Sequence, residues 1–140
     1  MRSLRQLLDQ KKGEIVALTS ADSVKTALEL LNRHDIGALL VMEGGRLAGI
    51  LSERDLVRKA ALVGDDRPVR ELMSGKVVYV TLSNTAEECM ALMTERRFRH
   101  LPVLDEAGKV VGVVSIGDMV KEVIRDQAFT IEQLTQYITG

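Results

Sequence analysis

The string Gly49-Ile50-Leu51-Ser52-Glu53-Arg54-Asp55 recurs later in the chain as Gly112-Val113-Val114-Ser115-Ile116-Gly117-Asp118. In both copies, apolar residues typical of a strand run into a Ser-x-x-Asp sequence typical of a helix start. The serine hydroxyl and the first N–H groups of such a helix lie at the positive end of its dipole, where phosphate or ribose oxygens bind favourably. The string therefore predicts two strand-to-helix junctions, each a candidate ligand site.

The similarity between the two halves extends upstream of these strings, as expected for an internal repeat. The alignment shifts by one residue in the turn-rich stretch before Gly45, where an insertion costs little closure entropy. The matched segments are Ile15–Ala27 with Val77–Cys89 and Gly45–Ser52 with Gly108–Ser115.

Each copy predicts the element order β-α-β-β-α. A short β-branched run begins each copy, and a helix follows it, with Asp22 or Ser20 as N-cap in the first copy and an Asn84/Glu87 capping box in the second. A hairpin and a second helix, Glu53–Leu62 or Ile116–Asp126, complete each unit. One small sheet cannot bury its apolar face alone, so we expect an α/β fold of two tandem repeats packed sheet to sheet.

The segments outside the repeats also carry helix signals. Ser3–Gln6 and Thr130–Gln133 are typical of capping boxes, and the stretch Val63–Pro68 is polar with both Gly and Pro. The predicted divisions are an N-terminal helix and lead-in (1–14), repeat 1 (15–62), a linker (63–76), repeat 2 (77–126) and a C-terminal helix (127–140).

Composition limits the function classes. The chain has 140 residues, a net charge of −1 and 3% aromatic residues, so it offers neither a broad basic face nor stacking platforms for nucleic acid. No apolar run long enough to span a membrane occurs, and Met1–Lys12 lacks the apolar block of a signal peptide. We therefore expect a cytoplasmic protein that binds neither nucleic acid nor membrane, and its single cysteine is consistent with a reducing compartment.

The aspartates of the repeated string, Asp55 and Asp118, have two interpretations. A carboxylate beside the helix start can accept hydrogen bonds from the paired hydroxyls of a ribose. Ser-x-x-Asp is equally a capping box, in which the helix dipole stabilises the aspartate without any ligand. Recurrence of the motif and of its preceding glycine favours the ligand interpretation.

A basic group precedes the central strand of the second copy only. Arg97, Arg99 and His100 lie where a helix ends and a strand begins, and Arg99 and His100 align with Gly37 and Ala38 of the first copy. Cations also favour a helix C-terminus without any ligand. One copy thus offers space and the other offers charge, which predicts a cleft between the copies that holds a phosphorylated ligand.

Catalysis has little support in the sequence. The two histidines, His34 and His100, and the single Cys89 form no spaced constellation for metal binding or nucleophilic attack. Cys89 falls on the apolar face of a predicted helix, which indicates a small buried hydrophobe. We predict that the chain is not an enzyme.

With its two tandem units, each ending in Gly-apolar-apolar-Ser-x-x-Asp, the chain resembles a pair of cystathionine-β-synthase (CBS) domains, or Bateman module, over about Ile15 to Lys121. The SERD, RHLPV and SIGD strings are similar to those of short stand-alone members. The resemblance implies a non-catalytic sensor that binds AMP, and alternatively NAD(H) or ATP, in clefts between the repeats, and forms a homodimer. The alternative is a structural oligomerisation module with empty clefts.

The resemblance also implies roles for individual residues. Asp55 and Asp118 would hold ribose, Ser52 and Ser115 would approach ribose or phosphate, and apolar side chains including Ile50 would surround adenine. Arg54 lies in the first copy, which lacks the Arg/His group. The full predicted ligand-binding set is Val16, Thr19, Ile36, Gly37, Ala38, Ser52, Arg54, Asp55, Val78, Thr81, Arg97, Arg99, His100, Pro102, Ser115, Gly117 and Asp118.

Overall fold

The chain folds into two compact units, seen in a computed structural model that describes residues 2–10, 15–64, 66–73 and 77–139. Residues 14–78 form the repeat-1 unit, and residues 1–13 with 79–140 form the repeat-2 unit. The side chains of residues 60–63 and 139 lie outside this description, as do residues 11–14 of the predicted lead-in and residues 65 and 74–76 of the predicted linker.

Both units have the predicted order β-α-β-β-α, so the α/β fold class and its duplication are confirmed. Each contains a three-stranded sheet with its second strand at the centre. In chain order the elements are α1 (Leu4–Gln10), β1 (Ala17–Thr19), α2 (Val24–His34), β2 (Ala38–Glu43), β3 (Arg46–Ser52), α3 (Glu53–Val63), β4 (Val80–Thr81), α4 (Ala86–Arg96), β5 (His100–Leu104), β6 (Val110–Ser115) and α5 (Ile116–Thr139).

The two sheets repeat even in their irregularities. In each, the first strand pairs in parallel with the second, and the second pairs antiparallel with the third. A register shift falls after Val41 in one sheet and after Val103 in the other. The hairpin turns contain Gly44 and Gly45 or Gly108, all with positive φ, a backbone conformation that glycine adopts without steric cost.

Each helix cap lies one residue after the nearest predicted one. Ser23, not Asp22 or Ser20, caps α2, and the capping box of α4 is Thr85 with Glu88, not Asn84 with Glu87. The Asp22 and Asn84 side chains instead accept hydrogen bonds from the backbone N–H groups of Thr19 and Thr81, at 2.9 and 2.8 Å. Two neighbouring residues with capping side chains share the turn, and local sequence does not say which one begins the helix.

The core of the repeat-1 unit includes residues from the segment predicted as a linker. Val69, the first residue of a short 3-10 helix (Val69–Glu71), and Leu72, which follows that helix, are fully buried in this core. The backbone N–H of Val69 donates to Asp22 O at 2.8 Å. This segment therefore stabilises the first unit in addition to connecting the repeats. The other core members are Leu18, Val24, Ala27, Leu31, Leu39, Val41, Leu51 and Leu56.

Helix α1 belongs to the repeat-2 unit. Its predicted Ser3–Gln6 capping box is present, and Leu4, fully buried, donates its N–H to Asn84 O at 2.9 Å. Arg2 forms a salt bridge of 2.7 Å with Glu122 of α5, whose side chain is buried. These contacts attach the start of the chain to its second half.

The end of the chain forms one helix where two were predicted. Helix α5 runs without a break from Ile116 to Thr139, through the predicted start at Thr130. The Thr130 hydroxyl donates to the Asp126 carbonyl at 3.0 Å, one turn back, so it bonds inside the helix and does not cap a new one. Within the described part of the chain, no helix is both long and apolar enough to cross a membrane.

Candidate functional site

The repeated Ser-x-x-Asp motif forms a reciprocal capping box in the repeat-1 unit. The Ser52 N–H donates to Asp55 Oδ2 at 3.2 Å, and the Asp55 N–H donates to Ser52 Oγ at 3.1 Å. Both side chains are half-buried at the junction of β3 and α3. The capping interpretation of this motif is therefore realised in the structure.

The repeat-2 unit contains the same box at the junction of β6 and α5. The Ser115 N–H donates to Asp118 Oδ2 at 2.8 Å, and the Asp118 N–H donates to Ser115 Oγ at 3.2 Å. A carboxylate has about four acceptor sites on its two oxygens, so capping by itself does not use its full capacity. Capping and ligand binding by one aspartate are compatible.

The start of the central strand lies directly against each junction. Ala38 pairs with Ser52 in one sheet, and His100 pairs with Ser115 in the other. The first helical N–H groups, of Glu53 and Ile116, donate to the carbonyls of Gly37 and Arg99, each at 2.9 Å. The predicted equivalence of Gly37-Ala38 with Arg99-His100 is thus confirmed, and each pair adjoins its own Ser-x-x-Asp motif.

The two junctions differ in charge at one position beyond Arg99 and His100. Arg97 ends α4 in the left-handed conformation with φ of 60°, and its counterpart at the end of α2 is Asp35, with φ of 50°. Where repeat 2 has Arg97, Arg99 and His100, repeat 1 therefore has an aspartate, a glycine and an alanine. Extending the repeat alignment by two residues would have revealed Asp35.

The threonines of the predicted set lie at the other end of each sheet. Thr19 pairs with Met42 and Thr81 with Leu104, at the hairpin end, whereas the serines pair with the first residues of the central strands. Four strand residues separate these positions, or about 13 Å at 3.3 Å per residue. Within each unit, the structure does not bring the threonine to the Ser-x-x-Asp motif.

The remaining predicted residues fall into three groups by exposure. Arg54 and Gly117 are exposed in the first turns of α3 and α5. Pro102 is buried in β5, and the other three residues are half-buried apolar side chains next to strand starts: Val16, Ile36 and Val78.

Cys89 behaves as predicted for a small buried hydrophobe. Its side chain is fully buried on α4, and burial, with a smaller contribution from the nearby Glu88 carboxylate, raises the pKa of its thiol to about 11. A thiol with this pKa is protonated at neutral pH and is a poor nucleophile. Among the described residues, no group of three or more His, Cys, Asp or Glu side chains is placed to hold a metal ion.

Comparison with known proteins assigns both repeats to one family. A family model described as "CBS domain" matches residues 11–62 and again 69–125. The chain is 36% identical over 136 residues to the "CBS domain-containing protein CBSX3, mitochondrial" of Arabidopsis thaliana, covering 91% of this chain and 66% of that protein. It is 30% identical to the CBS domain-containing protein YhcV of Bacillus subtilis, covering 79% of this chain and 80% of that protein.

Solved structures share the fold. The crystal structure of a CBS domain protein, NE2398, is 50% identical with a TM-score of 0.83, covering 88% of this chain and 98% of that one. The crystal structure of CBSX2 in complex with AMP is 28% identical with a TM-score of 0.67, covering 84% and 92%. The cytosolic domain of the Mg²⁺ channel MgtE in complex with ATP is 32% identical with a TM-score of 0.66, covering 82% and 50%.

Proposed function

The chain belongs to the CBS domain family, and from that premise we propose that it is a regulatory module that binds an adenine nucleotide without transforming it. The observation that carries the proposal is the strand-to-helix junction of the repeat-2 unit. There Ser115 and Asp118 adjoin Arg99 and His100 across one pair of strands.

This junction combines the groups that a nucleotide needs. The Asp118 carboxylate can accept hydrogen bonds from ribose hydroxyls while its Oδ2 caps α5. Arg99 is exposed, its carbonyl accepts from the first N–H of α5, and a guanidinium forms paired, charge-assisted hydrogen bonds with phosphate oxygens. Ribose and phosphate would therefore be held by neighbouring residues of one unit.

The repeat-1 junction suits a different part of a ligand. Ser52 and Asp55 offer the same ribose contacts, but Asp35, Gly37 and Ala38 supply no positive charge. Phosphate is repelled by a nearby carboxylate, so we propose that repeat 1 binds weakly, or accepts an uncharged part such as a nucleoside. Arg54 is the exposed cation closest in sequence to this junction.

AMP is the ligand we propose first, with NAD(H) or ATP as alternatives. Two similar structures support the adenine nucleotide class, namely CBSX2 in complex with AMP and the cytosolic domain of MgtE in complex with ATP. They do not favour one of these nucleotides over the other. The half-buried side chains of Val16, Ile36 and Val78 are the proposed surroundings of adenine. By the same resemblance, Thr19 and Thr81 would lie beside adenine, away from the ribose positions of their own units.

The second candidate is a structural module that binds no nucleotide. The complete capping boxes favour it, since Ser52, Asp55, Ser115 and Asp118 all have internal partners. Homodimer formation is part of both candidate functions. A cytoplasmic location stays a prediction, as one relative is named mitochondrial.

Calorimetric titration of the ligand-free protein with AMP, ATP, NAD, NADH and S-adenosylmethionine tests the proposal. We expect saturable binding of AMP, and weaker binding by the Asp118→Asn variant. Asparagine retains an oxygen acceptor for the Ser115 N–H, so this variant preserves the cap while removing the charge that binds ribose. Glu106→Gln, an exposed loop carboxylate, is the matched control. Absence of binding by every nucleotide would favour the structural module.

A further inference from the structure

A second duplication lies outside repeats 1 and 2. Residues 2–8 align without a gap with residues 67–73, and the buried apolar side chains recur at the same positions in both stretches. We call these stretches the first and second lead segments, because each precedes one repeat in the chain. The matched pairs are Arg2 with Arg67, Ser3 with Pro68, Leu4 with Val69, Arg5 with Arg70, Gln6 with Glu71, Leu7 with Leu72 and Leu8 with Met73.

Each lead segment packs in the unit of the repeat that it does not precede. In both units, the backbone of the segment donates two hydrogen bonds to the turn between the first strand and the first helix of the repeat. The two segments are therefore equivalent parts of two equivalent units. The bonds run from Leu4 to Asn84 O and from Arg5 to Leu82 O, at 2.9 and 3.2 Å, and from Val69 to Asp22 O and from Arg70 to Ser20 O, at 2.8 and 3.1 Å.

The first lead segment also attaches to α5, one helical turn after the aspartate of the proposed nucleotide site. Arg2 donates from Nε to Glu122 Oε1 at 2.9 Å and from Nη2 to Glu122 Oε2 at 2.7 Å, and the Glu122 side chain is buried. Glu122 follows Asp118 by four residues, so both side chains project from the same side of α5. A paired guanidinium–carboxylate contact fixes orientation as well as distance. The segment therefore restrains the rotation of the helix that carries Asp118.

The same segment contacts the strand on the other side of this junction. Leu8 packs over Gly112 of β6, where a Cβ would lie 2.9 Å from Leu8 Cδ2. Strand β6 ends at Ser115, and α5 begins with the next residue. One segment thus holds both of the elements that form the repeat-2 junction.

The corresponding attachment in the repeat-1 unit is looser. Lys59, which follows Asp55 by four residues in α3, donates to the carbonyl of Leu72 at 3.2 Å. Lys59 is exposed, and it makes this contact with a single, freely rotating ammonium group. Arg67, the counterpart of Arg2, forms its salt bridge with Glu71 of its own segment. The second lead segment therefore restrains its helix less firmly than the first.

We propose that the first lead segment positions Asp118, through Arg2 and Glu122, and so holds the repeat-2 junction in the geometry that binds a nucleotide. Arg2 and Glu122 are positioning residues, because they act through Asp118 and do not contact the ligand. The inference rests on the proposed function and adds to it a segment that is distant in sequence from the ligand-binding residues.

Stability alone is a weak reason for this ion pair, because well-packed apolar residues in place of a buried pair are often equally stabilising. The second lead segment buries Val69 and Leu72 completely, and its arginine pairs within the segment. The paired contact to the helix occurs in the repeat that also carries Arg99 and His100. There a strand supplies the phosphate contacts and a helix supplies the ribose contact, so the two elements need a fixed relative orientation.

Calorimetric titration with AMP, well below the melting temperature of each variant, tests the positioning role. Arg2→Ala should weaken AMP binding about fivefold, because the Asp118 carboxylate is then less well oriented. Arg2→Lys retains the charge but not the paired contact and should give an intermediate affinity. The matched variant of the second lead segment, Arg67→Ala, should bind AMP as the unmodified protein does.

A double-mutant cycle separates positioning from a general loss of stability. In the Asp118→Asn background, Arg2→Ala should cause no further loss of AMP affinity, whereas in the Arg99→Gly background its full effect should remain. An equal effect in both backgrounds, or AMP binding that Arg2→Ala leaves unchanged, would overturn this inference alone. Absence of AMP binding by the unmodified protein would overturn the proposed function and this inference with it.

Hydrogen exchange tests the same coupling without any variant. If the lead segment favours nucleotide binding, the nucleotide must stabilise the lead segment by the same factor. AMP should therefore slow exchange of the Leu4 and Arg5 amides more than exchange of the Val69 and Arg70 amides, which make the equivalent hydrogen bonds in the repeat-1 unit. Equal slowing in both segments would indicate global stabilisation only and would contradict the positioning role.

Discussion

The two repeats share one framework but differ in charge. Sheet order, register shift, capping box and strand-to-helix junction are the same in both units. At the junction, repeat 2 has Arg97, Arg99 and His100 in the places where repeat 1 has an aspartate, a glycine and an alanine. The comparison teaches that the fold depends on residues that the copies retain, whereas the proposed ligand preference depends on residues in which they differ.

Giving repeat 2 the residues of repeat 1 should have the largest effect. Each hydrogen bond to a charged group contributes about 1.5–3 kcal/mol, and 1.4 kcal/mol is tenfold in affinity. Arg99→Gly with His100→Ala should therefore weaken AMP binding by about 100-fold. The Arg99 carbonyl, which accepts from Ile116, remains in this variant.

Adenosine is the control ligand for this variant, since it has no phosphate for Arg99 to bind. Its affinity should stay within about twofold of the unmodified protein by calorimetry. If adenosine and AMP lose affinity equally, the two residues support the local structure and do not contact phosphate.

Removal of a buried ion pair should have the next largest effect, on stability. Arg2→Ala leaves the buried Glu122 carboxylate with the longer contact to Arg125, at 3.7 Å, which we expect to lower the free energy of unfolding by about 2 kcal/mol. The matched variant in repeat 1 is Arg67→Ala, which breaks the pair with Glu71, where the arginine is half exposed. Exposed pairs contribute little, so urea unfolding should hardly change in that variant. Equal urea midpoints for the Arg2→Ala and Arg67→Ala variants would contradict the expected difference in stability between the two ion pairs.

The same pair predicts a pH dependence. The hydrogen bond from Arg2 lowers the pKa of the Glu122 carboxyl below its usual range. A lowered folded-state pKa contributes stability above the unfolded pKa of about 4.3, and this contribution is lost as the pH falls through the folded-state pKa. The stability gap between the unmodified protein and Arg2→Ala should therefore narrow below about pH 4. If the stability difference does not change with pH, the ion pair between Arg2 and Glu122 is not its cause.

Crowding the contact between α1 and the repeat-2 sheet should have a smaller effect on stability. A Cβ at Gly112 would lie 2.9 Å from Leu8 Cδ2, so Gly112→Ala forces the Leu8 side chain to move and should cost about 1 kcal/mol. At Gly117 the nearest atom to a Cβ is Ser115 Oγ at 3.5 Å, an ordinary contact, and Gly117→Ala should not destabilise. Adding Leu8→Ala should suppress the extra cost of Gly112→Ala in thermal melts. If Leu8→Ala leaves the cost of Gly112→Ala unchanged, contact with Leu8 is not the cause of that cost.

The smallest difference between the repeats is expected for the helix caps of α2 and α4, because both repeats have an equivalent cap. Ser23→Ala and Thr85→Ala each remove the side chain that accepts from the third helical N–H and should cost about 1 kcal/mol. Chemical unfolding of both variants should agree within about 0.5 kcal/mol. A larger gap would mean that the two caps are not equivalent.

Local sequence predicted most of the framework, with specific errors. The repeat, the hairpins and the Ser-x-x-Asp junctions follow from periodicity and capping chemistry, which act over a few residues. The cap positions were wrong by one residue, since Asp22 and Asn84 are as suitable as Ser23 and Thr85 until the preceding turn forms. The break at Thr130 was also wrong, because a threonine hydroxyl can bond back into a continuing helix.

Tertiary structure decided the features that join residues distant in the chain. The sequence by itself determined a duplicated α/β fold, two serine–aspartate junctions and a basic group in one copy. It did not indicate that α1 packs on the second repeat, that Arg2 pairs with Glu122, or that Thr19 lies at the far end of its sheet from Ser52. Periodicity and capping report local preferences, whereas these contacts form only when burial selects among many faces of similar apolar character.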